Sequence, residues 1–192
     1  MLAQNDFGSG YSGNYTIPTG ASMLVAYING PGPSGGNPDD NSASGGGGAG
    51  AKCKFVITGT LGGAVITLNI PNGGTHSTVK GANGNLPTGQ STMTFANGFQ
   101  WICGSGEPGF GGNGQPGPGG RGGNVAVNGN VPSFVTSFGQ FNLGASPGMD
   151  GTTRWKGYGG NEGDTGGGGR GAWRWPTLGE DGQGGYIHLE VY

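Results

Sequence analysis

The sequence predicts a mainly β protein with little or no α-helix, built as a small β-sheet or sandwich from the N- and C-terminal strands plus a bundle of short polyglycine II helices. Three observations predict this. Of 192 residues, 51 are Gly and 12 are Pro, the residues that least readily continue a helix or a central strand. Short β-prone runs bounded by Gly, Asn or Pro recur along the chain. Glycines also recur at every third position in several tracts, the mark of an extended helix with three residues per turn and one bare edge.

The strands are predicted in order. The signal Pro18-Thr19-Gly20 precedes an apolar, partly alternating run at 23–28. Runs at 54–58, 64–70 and 91–95 follow, then 100–103, 124–127 and 133–138. The last run, 186–192, alternates cleanly: Ile187, Leu189 and Val191 fall on one face, and Tyr186, His188, Glu190 and Tyr192 on the other. Pairing of this run with 23–28 closes a small β region around Leu24, Ala26 and Ile28. The chain is expected to be a single glycine-rich domain over 1–192. Its strand-rich part covers about 14–104, its polyglycine rods about 105–185, and its closing strand 186–192.

Between the strands lie the tracts. Gly111, Gly114, Gly117, Gly120 and Gly123 are in phase, as are Gly157, Gly160, Gly163, Gly166 and Gly169, and again Gly179, Gly182 and Gly185. Collagen is excluded, because its triplets run much longer and carry abundant Pro between the glycines. Short rods packed side by side fit instead, held by hydrogen bonds between adjacent backbones and by close van der Waals contact. The in-phase glycines are expected to face neighbouring rods. For 106–123 and 157–185 the phase and the interspersed Trp, Tyr and Arg favour rods over flexible linkers; for 35–50 both readings stand.

Composition excludes several functions. Only 9% of residues are charged and the net charge is −2, so electrostatic capture of nucleic acid or of an anionic membrane is not expected. The 8 Phe, 6 Tyr and 4 Trp argue against disorder. No apolar run approaches a membrane span, and the first residues carry no basic and apolar leader, so no signal peptide is expected. Cys53 and Cys103 have no CxxC spacing, and His76 and His188 lie far apart in sequence, so neither a metal nor a cofactor is expected. The carboxylate pairs Asp39/Asp40, Glu162/Asp164 and Glu180/Asp181 sit in Gly-rich loops with nothing apolar beside them to raise a pKa. No tract reads as a phosphate-binding loop. The protein is therefore expected not to be an enzyme.

The run 16–32, Thr-Ile-Pro-Thr-Gly-Ala-Ser-Met-Leu-Val-Ala-Tyr-Ile-Asn-Gly-Pro-Gly, the Ser/Gly-rich loop and glycine tracts that follow, and the closing Gly-Gly-Tyr-Ile-His-Leu-Glu-Val-Tyr together resemble the glycine-rich domain at the ends of phage tail fibres and related tail proteins. The tracts are similar to those of the receptor-binding adhesins of T-even-type phage long tail fibres, in which polyglycine II helices form a sandwich whose distal loops bind the host. The resemblance covers nearly the whole chain, in arrangement more than in motif. It departs from the T-even-type adhesins in that no long N-terminal attachment domain is expected from these residues and in carrying more ordinary strand in its front half. It implies a phage virion protein, of tail fibre or tail tip, made in the host cytoplasm and binding the host surface by non-catalytic recognition. The implied partners are a host receptor, either lipopolysaccharide or an outer-membrane protein, and other virion tail proteins. A homotrimer or attachment to a trimeric fibre is the implied setting.

The residues that fit receptor binding cluster at 154–175. Three of the four tryptophans and four of the eight basic residues flank one predicted rod, and flat aromatic faces beside guanidinium groups suit sugar rings, phosphates or protein loops. The candidates are Trp155, Tyr158, Arg170, Trp173, Arg174 and Trp175, against the alternative that the tryptophans cap the rod ends. Phe134, Phe138 and Phe141, with Asn142, are expected to be buried packing. Two other functions remain open. One is a structural virion protein, such as a fibre or baseplate connector or a decoration, with the aromatic cluster facing another subunit. The other is an ice-binding protein, which flat polyglycine faces would suit but which calls for regular Thr or Ala where this chain has Asn, Gln, Glu, Asp and Arg.

Overall fold

Among the residues described by the computed structural model (1–152, 156–160 and 165–192), ten short runs form strands and none is in an α-helix. The strands are β1 (Ala3–Phe7), β2 (Ser12–Thr16), β3 (Met23–Asn29), β4 (Lys52–Gly59), β5 (Val65–Asn69), β6 (Ser91–Phe95), β7 (Gln100–Cys103), β8 (Val125–Asn128), β9 (Val135–Gly144) and β10 (Tyr186–Val191). They form two antiparallel five-stranded sheets, ordered β1-β10-β3-β4-β9 and β2-β5-β6-β7-β8. β10 pairs with β3 in the register Ile187↔Ile28, Leu189↔Ala26 and Val191↔Leu24, and all six side chains are fully buried. Alternation in these runs directs their apolar residues into one shared core. Leu24, Ile28, Phe55 and Leu189 come from the first sheet, Ile66, Leu68, Met93 and Trp101 from the second. Phe55 and Trp101 meet between the sheets with ring centroids 5.2 Å apart.

β1 and β2 were not expected, because AQNDF and SGNYT lack an apolar stripe. Both are edge strands, recruited by pairing with β10 and β5. The expectation that Phe138 and Phe141 are buried is corrected. They are 44% and 55% exposed, because β9 is also an edge strand and pairs only with β4. Phe134 packs against the core, and Phe138, though exposed on its outer side, sets its ring edge-on to the core residue Phe99 with centroids 5.7 Å apart. Cys53 and Cys103 are buried free thiols; burial pushes Cys53 up to about 11 and raises Cys103 as well.

The glycine tracts continue the strands. β3 runs on into 30–38, 43–51 runs into β4, β7 into 104–112, 117–123 towards β8, β9 into 145–151, and 179–185 into β10. The segment 43–51, for which linker and rod were both open, is central. Every one of its residues is buried, and its hydrogen bonds follow a strict three-residue cycle. Ser44, Gly47 and Gly50 donate to the carbonyls of Ala172, Gly169 and Gly166; Gly45, Gly48 and Ala51 donate to Phe110, Glu107 and Gly104; Gly46 and Ala49 donate to Met149 and Ser146. The carbonyls of Ala43, Gly46 and Ala49 accept from Gly117, Gly120 and Gly123. Those of Ser44 and Gly47 accept from Gly157 and Gly160, and those of Gly45 and Ala51 from Gly36 and Gly30. All these bonds are 2.8–3.0 Å long. In this last register the position between Gly30 and Gly36 is Pro33, which has no N–H to give.

Such a segment tolerates only small side chains on its edges and needs bare positions where a neighbouring backbone comes closest. A Cβ at Gly46 would overlap the carbonyl oxygen of Tyr158, one at Gly48 that of Arg121 and one at Gly50 that of Gly30. The same holds beyond the predicted phase: Gly119 and Gly122 press on the carbonyls of Gly148 and Ala145, just as Gly117 and Gly120 press on those of Phe110 and Glu107. The in-phase series do not each form one straight rod. Tract 104–112 runs antiparallel to 43–51 and 117–123 parallel to it, with the chain reversing near Gly114 at φ 71°. Likewise 157–160 is parallel and 166–172 antiparallel, with Gly166 at φ 76°. At both positions the left-handed backbone favours glycine for the turn itself. Gly163 lies outside the described residues. Tracts and strands also alternate, so β8 and β9 fall within the expected rod region, and tracts at 30–51 within the strand-rich one.

Replacing Gly46 by Ala is expected to cost about 3 kcal/mol or more in a denaturant titration, because the obstacle is the rigid backbone at Tyr158 and Gly159. Gly8→Ala, at an exposed site with open space around it, should stay within about 0.5 kcal/mol. Equal stability of the two variants would contradict the packing described.

Candidate functional site

Most tracts are fixed to a strand at one end and reverse at the other; 166–172 instead begins beside the sheets at Gly166, which is bonded to Gly184 and Gly50, and runs to the same far end. Reversals at 39–42, 113–116 and 173–178 join neighbouring tracts there, and Ser77 and Val79 reach the same end, their carbonyls accepting from the Asn37 side-chain amide at 2.7 and 2.8 Å. The bundle thus gathers loops from distant parts of the sequence at the end opposite the sheets.

Loop 39–42 is organised by one carboxylate. Asp39 Oδ1 accepts from Asn41 N–H (2.8 Å), Ser42 N–H (2.6 Å) and the Ser42 hydroxyl (2.7 Å), and Oδ2 accepts from Gly114 N–H of the neighbouring loop. These donors, the Ser42 hydroxyl first, hold the Asp39 carboxyl far below the usual carboxylate range. Asp39 also ties in the third loop, its backbone carbonyl accepting from Trp175 N–H at 3.3 Å. Within 173–178, Thr177 N–H and hydroxyl both donate to the Arg174 carbonyl.

The structure brings together the described candidates. Trp173 is 58% exposed and stands between two depressions. One, of about 340 Å³, is lined by Lys156, Trp173, Thr177, Leu178 and Glu180 among others. The other, of about 320 Å³, is lined by Asp40, Asn41, Trp173 and Arg174. Trp175 is half-buried and Arg174 is exposed. Tyr158 and Arg170 lie on the adjoining flank, the guanidinium 5.6 Å from the ring centroid. Arg170 Nε is 3.7 Å from Glu180, which Lys156 also approaches at 3.3 Å. Trp155 lies outside the described residues.

Seven participants were not among the candidates: Asp39, Asp40, Asn41, Lys156, Thr177, Leu178 and Glu180. The pairing of Asp39 with Asn41 and Ser42 is a local turn signal readable in sequence, but its proximity to Trp173 depends on the bundle. A second polar cluster crosses the outer face of the first sheet. Asp6 accepts from the Tyr186 hydroxyl and from His188 Nδ1 (2.7 Å), and these bonds lower its pKa. Tyr27 follows in the same cross-strand row, with Lys54 over its ring at 5.1 Å. His76 pairs with Asp181 at 2.7 Å. Among the described residues no three His, Cys, Asp or Glu side chains converge as metal ligands. No protein-family model matches the chain, and neither does any curated protein.

Because the folded-state pKa of Asp39 is depressed, its stabilising effect is complete above the ordinary carboxylate pKa of about 4 and is lost as pH falls towards the folded value. Asp39→Asn should therefore lower the melting temperature at pH 7, and the gap between variant and parent should narrow below about pH 4. A pH-independent gap would contradict the role given to the charge.

Proposed function

We propose that this chain is a phage virion protein of the tail fibre or tail tip, and that it attaches to the host surface by recognition without a chemical step. In this reading the tracts are polyglycine II helices. The three-residue cycle of donors and acceptors around 43–51, with parallel and antiparallel neighbours together, supports that assignment.

The observation that carries the functional reading is the division of labour between the two ends. The sheets hold the apolar core, while the opposite end presents hydrogen-bonded loops around an exposed Trp173 with Arg174, Lys156 and Tyr158 nearby. An exposed aromatic anchored on rigid loops contributes to binding and little to folding. The sequence resemblance to tail-fibre glycine-rich domains points to the same end, and to lipopolysaccharide or an outer-membrane protein as receptor.

A connector role has one observation in its favour. β9 is a ten-residue edge strand with Phe138, Phe141 and Leu143 exposed, and no charged residue lies between Arg121 and Asp150. Uncharged, apolar edges are sites where another chain pairs. The two roles use different ends and can coexist, with β9 joining other tail proteins.

Attachment of purified protein to a panel of bacterial cells tests the reading. Trp173→Ala should reduce attachment at least tenfold while the melting temperature moves by less than about 4 °C, equivalent to roughly 1 kcal/mol for a chain of this size. A large fall in melting temperature with attachment lost only as a consequence would make Trp173 a cap. Undiminished attachment by the folded variant would remove the binding site from this end.

A further inference from the structure

We propose that the paired depressions on either side of Trp173 form a binding site for a neutral saccharide, with the indole as the stacking platform. This rests on the host-attachment reading and names the ligand class of that same end.

The side chains around the indole decide the class. Lys156 and Arg174 are balanced by Asp40 and Glu180, so the lining carries no formal net charge. Lys156 is engaged by Glu180 at 3.3 Å, and the cations behind the lining are each held by one of its carboxylates, Arg170 by Glu180 at 3.7 Å and Lys80 by Asp40. A phosphate site would instead present an excess of donors and positive charge. What the lining offers is a mixed inventory around an apolar plate: carboxylate acceptors, the Asn41 amide as donor and acceptor, the Thr177 hydroxyl, and the Arg174 guanidinium as donor. That combination suits a ring whose hydroxyls both donate and accept and whose C–H face is apolar. It suits a protein loop less well, because an anchoring side chain looks for a deeper apolar pocket, and Leu178 is the one large aliphatic side chain in the lining.

Shape and rigidity agree. The volumes of about 340 and 320 Å³ stand at the lower end of the roughly 300–1,000 Å³ of small-molecule sites, so each takes a small unit, and both share one wall. A chain of two or more sugars could straddle Trp173. The platform is preorganised by the hydrogen bonds running from Gly114 through Asp39 to Trp175, which lowers the ordering cost of binding.

The test uses the full chain and bacterial cells to which it attaches, either oxidised with periodate, which cleaves sugar diols, or shaved with proteinase. Purified neutral bacterial polysaccharides serve as soluble competitors. The expected results are loss of attachment after periodate, retention after proteinase, and competition that changes less than twofold between 50 and 500 mM NaCl. Trp173→Ala should weaken attachment at least tenfold, and Asn41→Ala, on the opposite depression, at least threefold, both with parental melting temperature. Attachment that survives periodate but is lost to proteinase overturns the saccharide class and leaves host attachment standing. Periodate-sensitive attachment that either folded variant leaves unchanged removes the saccharide site from these depressions. Failure to attach to any cell in the panel overturns the attachment reading and this proposal with it.

Discussion

Direct contact between backbones, with only small side chains such as those of Ser44 and Ala49 admitted between them, is the constraint on which the structure depends. In 43–51 the N–H groups are directed in turn to three neighbouring tracts, and carbonyls accept from three others. Six chains can surround one only if the distance between axes is set by main-chain atoms. Wherever a tract glycine faces a neighbouring carbonyl, a single methyl would break that distance. This explains why 51 glycines can coexist with an ordered fold: they are the packing surface.

The arrangement is close to balanced on its own. Ordering a residue's backbone costs about 1–2 kcal/mol, and each hydrogen bond, shared by two residues, returns a net of about 0.5–1.5 kcal/mol, so a residue bonded through both N–H and C=O recovers most of its ordering cost and falls slightly short. The sheets tip the balance. Their alternating strands bury Leu24, Ile28, Phe55, Trp101 and Leu189 completely, and because most of the tracts are continuations of those strands, the core sets the register of the bundle. The turns at the far end then fall together by construction, and their residues are free to vary in a way the tract glycines are not.

Eight of the ten strands were legible in the sequence because apolar alternation carries them; β1 and β2 were not, because edge strands with one partner need no apolar stripe. The presence of tracts was legible from composition, but their course was not. Phase in glycine spacing does not reveal a reversal, and the runs through Gly114 and Gly166 each span one. The central position of 43–51 was hidden for the same reason: its Ser, Ala and Gly residues are what a flexible linker would contain, and only the neighbours distinguish the two. At the loop end, Trp173, Arg174 and Trp175 were readable as an aromatic and basic cluster. Asp39, Asp40 and Asn41 were not, because they are brought to Trp173 by tracts that are more than a hundred residues apart in sequence.

The most direct measurement is backbone amide hydrogen exchange resolved along 43–51. If these amides are donors inside the bundle, those of residues 44 to 51 exchange as slowly as the paired amides of β3 and β10, and far more slowly than those of the loop at 113–116. Exchange of 44–51 at the rate of an unstructured Gly/Ser segment, with β3 and β10 still protected, would contradict the account at its centre.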